Sequence, residues 1–165
     1  MGELYDIWDN SAMDYIGQLE NAKKVGLKDG IWRPPTQPGY DKYQIGMGLD
    51  TRAEHNPIVY NYLKSKGRLN DPWLTESEEK DLRAQTYATK KNLVRRLAAQ
   101  YGDGLSELGY SRIAGMVWHG DPALKMRNQN TTTGSAFKRA ALINDNDLQS
   151  VFDAYYKYPA NRVRY

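Results

Sequence analysis

Within LENAKKVGLKDG, residues 19–30, Glu20 is followed after eight residues by Asp29, with Lys23, Lys24 and Lys28 between them. Two carboxylates facing each other across a cleft are what cleavage of a glycosidic bond asks for. One is an acid that protonates the leaving oxygen, and the other handles the oxocarbenium-like carbon. Their separation sets the outcome: about 5–5.5 Å for a retaining nucleophile, about 6.5–9.5 Å when a water must fit between them. A glycine-rich run, YQIGMGLDT, begins at Tyr43. By themselves Glu20 and Asp29 read first as surface charge, since chance supplies many such pairs.

The elements that must position these acids follow from pattern. Asn10 or Ser11 is a good cap for a first helix, which then sets Met13, Ile16 and Leu19 on one face and leaves Glu20 near its end, beside that stripe. Gly26 and Gly30 interrupt it. The segment IWRPPTQPGYDKYQIGMGLD has prolines and aromatics without a helical period, and reads as a small β-hairpin region with a long loop. After Pro57, IVYNYLKSKGRL predicts a short helix stopped at Gly67. Thr75 with Glu78 forms a capping box that opens the strongest helix, carrying Leu82, Thr86, Leu93, Leu97 and Tyr101 at helical spacing. Further helices are expected around 111–119, 135–144 and 147–157. The expectation is an α+β fold, mostly α, in one domain. It comprises a small lobe over about 20–70, a connecting helix over about 75–101, and a helical lobe over 102–165 that also takes the N-terminal helix.

Composition narrows the function classes. A chain of 165 residues suits one domain, and its 40% hydrophobic and 26% charged content is that of an ordinary soluble protein. No apolar run approaches the roughly 18 residues of a membrane span, and MGELYDIWDN has neither the basic segment nor the apolar stretch of a signal peptide. Without cysteine there is no disulfide or thiolate metal site, and His55 and His119 alone make no zinc site. The net charge of +3 is too mild for a dedicated nucleic-acid binder. Thirteen tyrosines and four tryptophans suit a sugar-lined groove as well as ordinary packing.

A helix ending in Glu, then Asp, then a hairpin with Ile-Gly-x-Gly resembles the T-even-like phage lysozymes, a glycoside hydrolase family. The hairpin motif stands here as Tyr43-Gln44-Ile45-Gly46-Met47-Gly48-Leu49. The likeness continues in LTESEEKDL, in Ala114-Gly115-Met116-Val117-Trp118-His119, and in Pro159-Ala160-Asn161-Arg162, in the family's order. The resemblance implies a two-lobe lysozyme-like fold and a muramidase cleaving the β-1,4 bond between N-acetylmuramic acid and N-acetylglucosamine in bacterial peptidoglycan. Glu20 matches the general acid and Asp29 the second carboxylate. Gln44 stands where a threonine helps hold the attacking water. Trp118 and His119 match sugar-contacting positions, and Arg162 an arginine paired with the catalytic glutamate. The family needs no metal or cofactor, and the expected protein is a monomer of phage origin, acting in the host periplasm from the virion or the host cytoplasm.

The chain departs from the family in three places. The Asp29–Gln44 segment is longer and contains Asp41, a competitor for the second-carboxylate role. Leu49 replaces the histidine after Ile-Gly-x-Gly, and the chain ends soon after Arg162. Two other readings stand beside the muramidase: a lytic transglycosylase, which needs only the one acid, and a non-catalytic wall-binding or virion structural module. Trp32 and Trp73 are exposed-ring candidates for sugar stacking, with core anchoring as the alternative. Lys90, Lys91, Arg95 and Arg96 read as a solvated helix face that could also attract an anionic wall.

Overall fold

The computed structural model describes residues 2–99 and 104–119. Over these the protein is α+β and mostly helical: α1 (Gly2–Asn21), β1 (Leu27–Lys28), β2 (Ile31–Trp32), β3 (Gln44–Ile45), β4 (Leu49–Asp50), α2 (Pro57–Ser65), β5 (Leu74–Thr75), α3 (Glu76–Ala99) and α4 (Glu107–His119). The expected helices after residue 119 lie outside the described residues. The chain divides into two compact units. Residues 17–89 form one; residues 2–16, 90–99 and 104–119 belong to the other, and α1 and α3 each contribute to both. No helix among the described residues is long and apolar enough to cross a membrane.

In the unit of residues 17–89, β1, β2 and β5 form an antiparallel sheet in that order, and β3 and β4 form a separate hairpin. Trp32 pairs with Leu27 on one side and Leu74 on the other. At 2% exposure its ring is a core anchor, which corrects the expectation of an exposed stacking surface. Strand pairing, with each strand two residues long, leaves too little sequence for a period-2 pattern to reveal which face is buried. Trp73 is half-buried, with the Arg68 guanidinium 3.4 Å from the ring centroid.

The capping box at the start of α3 forms reciprocally. Glu78 N–H donates to Thr75 Oγ1 at 3.1 Å, and Thr75 N–H to Glu78 Oε1 at 3.0 Å. Burial alone pushes Glu78 upward. The Thr75 N–H, the Tyr62 hydroxyl and the Arg68 guanidinium outweigh it and bring the carboxyl from 4.5 down to about 2. α2 starts at Pro57 behind the N-cap Asn56, whose side chain accepts from Val59 N–H and donates to Thr86 Oγ1 at 3.1 Å. It stops as expected before Gly67, at φ +69°.

In the other unit α1 begins at Gly2, well before the expected caps Asn10 and Ser11, which lie inside the helix. Tertiary packing overrides the capping preference: Tyr5, Asp9, Ala12 and Ile16 recur on one buried face. Tyr5 stacks on Tyr110 at 4.9 Å, and Tyr110 Oη donates to Asp9 at 2.6 Å. Arg95 is no plain solvated charge: Nη2 donates to Asp9 at 3.0 Å and also pairs with Asp6.

Candidate active site

The last turn of α1 is built to sit close against its neighbours. Gly17 is buried, and a Cβ there would lie 2.9 Å from Arg83 Nη1 and 3.0 Å from Met47 Cε. Three residues on, hence on the same face, Glu20 is buried with 8% exposure. Burying a carboxylate costs free energy that a surface charge does not incur, so a position like this needs a compensating environment. Asn21 beside it fixes the geometry. Its Nδ2 donates to Val25 O at 2.9 Å and to Gly46 O at 3.0 Å, while Oδ1 accepts Val25 N–H at 2.9 Å. The chain turn after the acid and the tip of the β3–β4 hairpin are thereby tied to one amide.

That tip is Gly46-Met47-Gly48, with Ile45 opposite Leu49. Gly46 has φ +68°, and a Cβ on it would lie 2.4 Å from Glu79 Cγ, so both conformation and space demand glycine. Glu79, 2% exposed in the first turn of α3, accepts the Met47 N–H at 3.0 Å and pairs with Arg83 Nε at 2.9 Å. Burial holds its carboxyl above the usual range, with Arg83 and the Met47 N–H opposing the rise. Sequence reasoning missed Glu79, because an acid in a helix's first turn looks like a favourable dipole partner on the surface. The signal available was the acidic run at residues 76–79, from which only Glu78 is needed for the cap.

Comparison of the chain with protein-family models, with curated proteins and with solved structures returns no match.

Asp29 is exposed at the first central position of the two-residue β1–β2 loop. With φ +53° at Asp29 and +77° at Gly30, this has the backbone signature of a type I′ turn, the hairpin turn for which Asp-Gly is suited. Its residue type is therefore accounted for by backbone conformation before any chemistry is invoked. Gln44 opens β3, half-buried and opposite Asp50, with its N–H donated to Asp41 O at 3.1 Å. Asp41 makes an Asx turn, its Oδ1 accepting Tyr43 N–H at 2.8 Å.

Glu20, Asp29 and Gln44 thus fall in one unit, Glu20 in the last turn of α1, Asp29 in the β1–β2 turn and Gln44 on β3. Trp118 belongs to α4 in the other unit, half-buried with Lys90 Nζ 6.0 Å from its ring centroid. His119 ends α4. Its side chain and Arg162 lie outside the described residues. Among the described residues no group of three His, Asp or Glu side chains is placed to hold a metal ion.

The long segment between β2 and β3 helps line a cavity of about 620 Å³. Pro34, Lys42 and Tyr43 come from that segment, and Arg52, Glu54 and Tyr60 from beyond the hairpin. Glu20, Asp29 and Gln44 are not among the residues that line it.

Proposed function

We propose that the protein is a peptidoglycan hydrolase, a muramidase of the phage-lysozyme type, with Glu20 as general acid. The observation that carries this reading is the burial of Glu20 in the last turn of α1, next to an asparagine that bonds the backbone of a glycine-rich hairpin tip. An acid there is shielded from bulk water and held by rigid elements, as a proton donor to a sugar oxygen needs to be. Asp29, helped by Gln44, orients a water that attacks the anomeric carbon from the opposite face as the C–O bond breaks and the Glu20 proton passes to the leaving oxygen. Trp118 and His119 contact the sugar chain and Arg162 pairs with Glu20, as the resemblance assigns them. A two-lobe lysozyme-like arrangement is part of this proposal, as is action on the bacterial wall by a phage protein.

One observation favours a second reading. Asp29 is exposed in a turn that explains it without catalysis, which suits a single-acid lytic transglycosylase. There a muramic hydroxyl attacks the anomeric carbon in place of water and closes an anhydro ring. Mass analysis of the fragments that purified protein releases from bacterial walls separates the two. Reducing muramic ends support the hydrolase, anhydro ends the transglycosylase, and wall binding without release a non-catalytic module.

A further inference from the structure

Two buried hydrogen bonds meet on one peptide group, the one joining Gly46 to Met47. Its carbonyl accepts Asn21 Nδ2 at 3.0 Å, and its N–H donates to Glu79 Oε2 at 3.0 Å. Nothing local fixes that group: Gly46 has φ +68°, and glycine takes either hand of backbone at little cost, so the peptide could turn over. The two side chains oppose this. Asn21 is itself oriented by Val25, its Oδ1 accepting Val25 N–H and its Nδ2 donating to Val25 O, at 2.9 Å each. It is left with a donor to face Gly46, and an ionised Glu79 offers only acceptors. Turned over, the peptide would set N–H against N–H at Asn21 and carbonyl oxygen against carboxylate at Glu79.

The same groups reach the turn that carries Glu20. Asn21 follows it in sequence, and Met47 Cε and Arg83 Nη1 lie 3.0 and 2.9 Å from where a Cβ on Gly17 would sit, one helical turn before it. Glu79 holds Arg83 through Nε at 2.9 Å. Gln44 stands on β3, two residues before Gly46. Keeping an acid at position 79 has a cost, because burial disfavours its charged form. Apolar side chains at 79 and 83 could fill the space without that cost, and such replacements of buried ion pairs are often neutral or stabilising. What they could not do is select one face of a peptide. We propose that Glu79 is a positioning residue for the reaction of Glu20: by holding the Gly46–Met47 peptide in one orientation it fixes, through Asn21, the acid-bearing turn relative to Gln44. The inference rests on the proposed muramidase reading and adds what keeps that site in register. At 2% exposure Glu79 acts through the peptide, not on the substrate.

The test compares the full chain with Glu79→Gln and with a double variant, Glu79→Leu plus Arg83→Met. The double variant strands no charge and should unfold no more easily than the unmutated protein. Cleavage is followed by chromatography of the fragments released from soluble wall glycan. The double variant should lose about 10- to 100-fold in kcat, with KM changed by no more than about twofold. Glu79→Gln keeps an acceptor for the Met47 N–H and should recover most of that loss. A second readout needs no cleavage: in NMR spectra of the double variant the Asn21 side-chain amide should shift, and the Met47 amide hydrogen should exchange with water about tenfold faster or more. A folded double variant with the unmutated kcat, or Asn21 resonances that stay in place, would overturn the proposal. So would a glutamine variant no better than the double variant, or a double variant that does not fold, since Glu79 would then serve stability alone. These outcomes leave the hydrolase reading standing. An unmutated protein that releases no fragments removes that reading, and the positioning role with it.

Discussion

Gly46 and Glu79 form a lock between the hairpin tip and α3, and a double-mutant cycle measures it. A methyl on Gly46 meets two separable costs. Its φ of +68° places a non-glycine residue in the left-handed region, costing about 1–2 kcal/mol. Its Cβ would also lie 2.4 Å from Glu79 Cγ and 2.7 Å from Glu79 Oε2, an overpacking cost of about 1–3 kcal/mol. Gly46→Ala should therefore lose about 2–5 kcal/mol. Glu79→Ala removes the acceptor of a buried N–H and leaves Arg83, whose side chain is 12% exposed, without its carboxylate. Breaking a buried pair this way costs about 3 kcal/mol. In the double variant the steric cost is gone and the conformational cost remains. The sum of the single effects should then exceed the double effect by about 1–3 kcal/mol. Urea unfolding of the four proteins, followed by tryptophan fluorescence, gives the numbers. Additivity within about 0.5 kcal/mol would refute the close packing of Glu79 under Gly46.

The remaining predictions concern charge. Glu78 titrates at about 2 in the fold against 4.5 ordinarily. Its contribution is therefore present above the ordinary value and lost as pH falls from 4.5 towards 2. Allowing for solvent screening, the loss is about 2 kcal/mol, or about 4–8 °C in Tm, and Glu78→Gln should flatten that part of the pH–Tm curve as read by calorimetry. Glu79 has the opposite sign: with its folded value raised, its contribution is fullest below 4.5 and declines as pH rises through the raised value. Glu79→Gln should abolish that decline in the same scans. Asp29→Asn keeps a residue that tolerates positive φ, so stability should stay within about 0.5 kcal/mol while wall hydrolysis falls if Asp29 holds the water. Asp41→Asn preserves an Asx turn and should leave both unchanged; a dead Asp41→Asn beside an active Asp29→Asn would move the second carboxylate into the long segment.

Where a local rule coincides with the tertiary environment, the fold is readable from residues. Thr75 and Glu78 cap α3 because reciprocal side-chain bonds need no distant partner, and Pro57 and Gly67 bracket α2 through their own backbone conformations, which are equally local. Asn10 and Ser11 have the same local preference as caps, yet they lie inside α1 because Tyr5 and Asp9 engage Tyr110, a partner 101 residues from Asp9. Trp32 sits between Leu27 and Leu74, a pairing that also spans distant segments and that no two-residue strand announces. Gly46 and Gly48 read correctly as turn residues. What Gly46 makes room for, the buried Glu79, depends on how α3 meets the hairpin and so was not visible in the motif itself. Glu20 was picked out by spacing and resemblance, whereas its burial and the Asn21 bonds beside it are tertiary facts.

The account turns on whether Glu20 transfers a proton. The direct measurement is the initial rate of glycosidic-bond cleavage in purified walls by Glu20→Gln against the unmutated protein, with unfolding curves showing that both are folded. Glutamine keeps the shape and removes the transferable proton, so the rate should fall by about 10²–10⁴. A folded Glu20→Gln protein that cleaves within about tenfold of the unmutated rate would contradict the assignment of Glu20 as general acid.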